Sequence, residues 1–260
     1  MDLLNYKVVL LDLQNSIANE TVAENREAVE LIAANLNSLY GLLITRDGAQ
    51  SDVFPITSRG RAVKFMVIMH TIVAFQFGST IFDHLINGQY AEAAALLRPL
   101  IETVAFTEYY SANPDIALAS VKNVASLPTR STVFRFLAKD GKWPQCGPKK
   151  AFERYNQATH AHIAYVMQHW AETNEGTPQI SRFWLRKYNR DSFIRISRDI
   201  FIPLFGAQQI FRATFIDEAS LTGEESWQPF WKVGHKRSVM SRLYPGLRLG
   251  EVPSSKSNAA

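Results

Sequence analysis

Apolar and polar positions along this chain alternate with a helical period over most of its length, and the pattern predicts a succession of amphipathic or buried helices. Residues 6–13 are too short and too evenly apolar for periodicity to separate a strand from a helical turn. A capping box, Thr21-Val22-Ala23-Glu24, predicts the start of the first clear helix. Val29, Ala33, Leu36, Tyr40 and Leu43 then mark one face at helical spacing, until Arg46-Asp47-Gly48 stops it. The next helix spans roughly Arg59 to Asn87 and is apolar nearly all round, which predicts the central element of a bundle. Gly88 breaks it, and a third helix runs from about Gln89 to Ser111. Asn113-Pro114 predicts a restart, with Asn as N-cap and Pro at the first helical position, where a missing N–H costs nothing.

Short helices fit Pro114 to Ala125 and Thr129 to Ala138. Lys139 to Pro148 reads as a turn-rich linker, and Pro148 opens a long helix to about Thr173. Ile180 to Tyr188 is aromatic and basic and reads as extended. A last long helix, about Asp191 to Phe215, must kink or break near Pro203. The expected fold is an all-α bundle of four to six main helices, with a minor β element at the N-terminus or near Ile180. Three regions are expected: an N-terminal helical extension over residues 1–58, a core bundle over 59–216 and an irregular C-terminal extension over 217–260 ending in a disordered tail.

Composition narrows the class. An apolar fraction of 47% and a charged fraction of 20% in 260 residues are those of a globular protein with a substantial core. The net charge of +4 does not by itself imply a nucleic-acid partner. The single cysteine, Cys146, excludes an internal disulfide framework and suits a reducing compartment. Met1-Asp2-Leu3-Leu4 lacks the basic start of a signal peptide. The most apolar stretch, Phe65 to Phe82, nearly has the length of a membrane span. It is interrupted by His70, Thr71, Gln76, Ser79 and Thr80, which favours a buried helix. A cytoplasmic protein with no membrane partner is therefore expected.

Four groups of residues could carry chemistry. On the third helix Arg98 and Glu102 stand one turn apart beside Pro99, on a face with Ala91, Ala94, Ala95, Ala105 and Tyr109. They are either a structural ion pair or part of a polar site. On the long helix, Asn156 and His160 share a face and Arg154 lies within reach of it. A histidine as general acid or base, beside an arginine that stabilises charge on phosphorus, can cleave a phosphodiester without metal. The plainer reading is a histidine hydrogen-bonded across the bundle. His70 and His84 share a stripe, as do His162 and His169, but neither helix supplies the Glu and Glu–His pattern of a di-metal bundle site. Phosphate loops, nucleophile elbows and paired cysteines are absent from the sequence, so neither metal nor cofactor is expected. The fourth group is a basic-aromatic run containing Arg182, Trp184, Arg186, Lys187, Tyr188 and Arg190. It suits either RNA, through phosphate contacts and base stacking, or a solvated face over core aromatics.

These residues also carry a resemblance. Asn87 to Glu102, with its Arg-x-x-x-Glu helix, and the later Tyr155 to His162 segment resemble a bacterial family of uncharacterised helical proteins, over about Arg59 to Phe215. More distantly, Arg154 to His160 resembles the Arg-x(4–6)-His motif of the HEPN superfamily, with Tyr155 standing between the Arg and the polar Asn156. That resemblance implies a helical, dimeric ribonuclease of the toxin or phage-defence kind acting on single-stranded RNA. Arg154 would stabilise the transition state, His160 would act as acid/base, Asn156 would orient, and Arg98 and Glu102 would support. A non-catalytic helical interaction or regulatory module is the alternative.

Overall fold

The computed structural model describes residues 3–47, 53–139, 155, 188–215 and 242. Among them the chain forms seven helices, one 3-10 turn and no strand, so the all-α expectation holds. In order these are α1 (Leu3–Glu24), α2 (Arg26–Asp47), α3 (Arg59–Ile86), α4 (Tyr90–Ala112), α5 (Pro114–Lys122), the turn Val124–Ser126, α6 (Arg130–Lys139) and α7 (Arg190–Thr214).

α3 is the hub, in contact with α1, α2, α4, α5 and α7. Its fully buried positions are Ala62, Met66, Val67, Thr71, Ala74, Gly78, Ile81 and Leu85. Apart from the adjacent Met66 and Val67 they step by three and four residues, so they form one stripe along the helix. A Cβ on Gly78 would stand 2.8 Å from Leu204 Cδ2 and 3.1 Å from Leu36 Cδ2. The missing side chain is what lets α2 and α7 close on α3 at that level. Length and composition alone would let α3 cross a bilayer. A core helix of a soluble bundle has the same character, and this stripe is packed against protein.

Helix ends follow local chemistry. Ser58 caps α3 by accepting from the Arg61 amide at 3.3 Å. At the other end Gly88 takes φ 68°, and the amides of Gly88 and Gln89 donate to Leu85 and His84 carbonyls at 3.2 and 2.8 Å. That is the paired bonding of a Schellman stop, and the positive φ is why glycine stands there. Pro114 opens α5 as expected, but the Asn113 amide side chain donates back to the Tyr109 carbonyl at 2.8 Å instead of capping α5.

The N-terminal region departs from its expected shape. Residues 6–13 are helical, within α1, so the N-terminal β element is replaced by helix. Thr21 is not an N-cap; it is buried inside α1, and the break falls at Asn25. The Asn25 amide donates to the Thr21 carbonyl at 3.0 Å and its side chain does the same at 3.1 Å, so a single residue redirects the chain. The buried face of α2 is Ala28, Leu31, Ile32, Asn35, Leu36, Leu39 and Leu42, while Tyr40 of the expected stripe is half exposed. Two overlapping stripes satisfy the helical period, and packing against α3 and α7 selects one. α2 thereby enters the same core as Val67, Ala74, Leu97, Leu100, Ile200 and Leu204, so that core extends to the N-terminal side of residue 59. α7 continues unbroken through the buried Pro203.

Candidate functional site

The Arg98–Glu102 pair forms as the spacing predicts. Arg98 Nε donates to Glu102 Oε1 at 3.1 Å, and the same oxygen accepts from Arg130 Nη1 at 3.1 Å. The Arg98 side chain is 10% exposed, that of Glu102 26% and that of Arg130 50%. The carboxylate thus lies between a buried and a solvated guanidinium, fastening α4 to the start of α6. Arg130 is the member that sequence reasoning missed. It lies 28 residues from Glu102, and no local spacing announces the contact.

Of the segment proposed to carry catalysis, Tyr155 is described; Arg154, Asn156 and His160 lie outside the described residues. Tyr155 is 1% exposed and belongs to the main core. Its hydroxyl donates to Asp199 Oδ2 at 2.6 Å, and Arg198 Nε donates to Asp199 Oδ1 at 3.0 Å. A buried carboxylate therefore has a strong donor on each oxygen, the arrangement that makes burial of such a charge tolerable. Nothing in the sequence pattern singled out Asp199, because its tyrosine partner stands 44 residues away.

Of the basic-aromatic run, Arg182, Trp184, Arg186 and Lys187 lie outside the described residues, and two members lie within them. Tyr188 is half buried, and its hydroxyl accepts from Asn25 Nδ2 at 2.8 Å. Burial pushes the Tyr188 phenol above its ordinary pKa. The neighbouring Asn189 amide donates to Tyr90 Oη at 3.0 Å, and burial pushes that phenol up to about 12. These two contacts pin the start of α7 to the α1–α2 junction and to the start of α4. Arg190 is exposed on the first turn of α7.

A second buried polar group joins α2 to α7. Gln208 Nε2 donates to the Asn35 carbonyl at 2.9 Å and also contacts Asn35 Oδ1. Arg212 donates to Gln208 Oε1 at 2.9 Å and to Ser38 Oγ at 3.1 Å. Burial lowers the Arg212 pKa to about 10, so the side chain still carries its charge at neutral pH. Arg212 and Gln208 stand one turn apart on α7, whereas their bonds to Ser38 and Asn35 appear only when α2 and α7 meet.

The histidines of α3 are placed separately. His70 Nδ1 lies 2.8 Å from the Met66 carbonyl, and its ring packs against Phe106 and Tyr110. His84 Nδ1 lies 2.7 Å from Gln89 Oε1, at the Gly88 turn. Fourteen residues of helix put the two roughly 21 Å apart. Among the described residues no three His, Cys, Asp or Glu side chains come together as a metal ligand set. A shallow pocket of about 180 Å³ between α3 and α4 is lined by Val73, Gln76, Phe77, Thr80 and Leu96. Its lining holds no titratable group.

No protein-family model matches the chain, and neither a curated protein nor a solved structure does. The fold and these polar clusters define an all-α bundle; the activity has to be argued from its own residues.

Proposed function

We propose that this chain is a HEPN-like helical protein that binds single-stranded RNA and cleaves it without metal. Arg154 stabilises the charge that builds on phosphorus, His160 is the general acid/base and Asn156 orients the group. The carrying observation is the buried Tyr155–Asp199 hydrogen bond at 2.6 Å. It ties the residue between Arg154 and Asn156 to a rigid point on α7, as a site built on a scaffold requires. Arg98 and Glu102 support the bundle through Arg130. Action as a homodimer and a cytoplasmic location complete this reading, the latter from the one cysteine.

The test is cleavage of single-stranded RNA by purified protein in the presence of a chelator. Wild type should cleave, with a rate that depends on pH around the ordinary histidine pKa of about 6.5. His160→Ala and Arg154→Ala should each lower the rate by a factor on the order of 100 without changing the melting temperature. His162→Ala is the control and should matter much less. Folded wild type that cleaves no RNA would remove the nuclease reading.

A second reading, a non-catalytic interaction module, is favoured by one observation. The Arg98–Glu102–Arg130 and Asn35–Gln208–Arg212 clusters both join one helix to another, as structural fasteners do. The chelator experiment separates the two.

A further inference from the structure

We propose that the segment from α5 to α6 docks peripherally on an anionic lipid surface through the turn between the two helices. Residues 116–139 carry Lys122, Arg130, Arg135 and Lys139 and contain no Asp or Glu, so this short stretch holds as much positive charge as the whole chain nets. All four cations are exposed. Two acids bracket the stretch in sequence, Asp115, which is paired with Arg59, and Asp140.

At the bend the 3-10 turn exposes aliphatic groups. Val124 is 77% exposed, the most of any large hydrophobic residue among those described, and Leu127 is 49% exposed. The turn is held in shape: Asn123 Oδ1 accepts from the Ala125 amide at 3.0 Å, Ser120 Oγ donates to the Ser126 carbonyl at 3.2 Å, and the Leu127 amide donates to the Val124 carbonyl at 3.1 Å. Lys122 stands two residues before it, and Arg130, three residues beyond Leu127, is exposed but shared with Glu102. Beneath, Val133 and Leu137 anchor α6 on Ala105 and Tyr109 of α4.

Aliphatic side chains on a fixed turn, with Lys122 beside them and Arg135 and Lys139 exposed along α6, match the boundary of a bilayer that carries anionic headgroups. An unpaired nucleic-acid strand would instead favour an exposed ring for stacking. The two rings in this stretch, Phe134 and Phe136, are half buried against the α4–α6 cluster. The contact is made at the surface and requires no spanning helix. It stands independently of the ribonuclease reading.

The experiment is co-sedimentation of the full chain with vesicles of phosphatidylcholine containing phosphatidylserine, and with phosphatidylcholine alone. Binding to the mixed vesicles is expected, weakening as salt rises. Lys122→Gln and Arg135→Gln should each lower the partition about fivefold. Val124→Ser with Leu127→Ser should lower it by about fivefold or more. Arg26→Gln, a remote exposed cation, should leave it unchanged, and melting curves should show every variant folded. Absence of binding, equal binding to neutral vesicles, or an Arg26→Gln loss equal to that of Lys122→Gln would overturn the proposal. So would an oligonucleotide that binds through Lys122 and Arg135 when the mixed vesicles do not.

Discussion

The Tyr155 hydroxyl donates to Asp199 Oδ2 at 2.6 Å inside the core, a contact between residues 44 positions apart in which both side chains are closed off from solvent. Removing the donor while keeping the ring leaves a buried carboxylate oxygen without that bond. Tyr155→Phe should therefore destabilise by about 1–3 kcal/mol. Urea unfolding checks this; an unchanged midpoint would mean that Asp199 does not depend on the hydroxyl.

The three-residue cluster at Glu102 should respond unequally. A fully buried pair losing its anion would cost about 3–5 kcal/mol. Glu102 is a quarter exposed and water can reach it, so Glu102→Ala should cost less, about 1–2 kcal/mol, mainly through Arg98. Arg130→Ala removes a half-solvated partner and should cost about 0–1 kcal/mol. Thermal melts of both variants decide it, and equal losses would contradict the asymmetry.

Gly78 is where α3 meets α2 and α7. A valine there would drive methyl groups into Leu204 and Leu36, both core residues. Gly78→Val should destabilise by about 1–3 kcal/mol or more. Gly60, whose Cβ would meet nothing within 4 Å, is the control. Gly60→Ala should be neutral or mildly stabilising through helix propensity, by up to about 1 kcal/mol. A Gly78→Val protein as stable as wild type would show that α3 does not pack closely there.

His70 gives a pH dependence of known sign. Burial lowers its folded-state pKa below the ordinary 6.5, with the Met66 carbonyl bond opposing. The unfolded chain then takes up the proton more readily than the folded one. The stability that His70 contributes is complete above about pH 6.5 and is lost as pH falls towards the folded pKa. Denaturant midpoints at pH 7.5 and 5.5 should fall less for His70→Gln than for wild type. Parallel slopes for the two proteins would show that His70 is not the group responsible.

Several elements were legible before any packing was known, because their signals are local. A long apolar run with a glycine stop defines α3 to within a residue, Pro114 opens α5, and the Arg98–Glu102 pair follows from a four-residue spacing on one helix. The all-α class follows from the same periodicity, and from turn residues that interrupt it at the right places. What tertiary structure decided is everything that depends on two faces meeting. α2 has two apolar stripes of equal period, and only contact with α3 and α7 selects the one that buries Asn35 beside Gln208. Residues 6–13 are too few for periodicity to choose between helix and strand, and the chain resolves them as helix within the longer α1. Arg130 on Glu102 and Asp199 on Tyr155 are likewise products of docking. A sequence fixes local periods and caps through short-range sterics and hydrogen bonding, whereas the partner of a buried polar side chain is chosen by whichever distant face removes it from water.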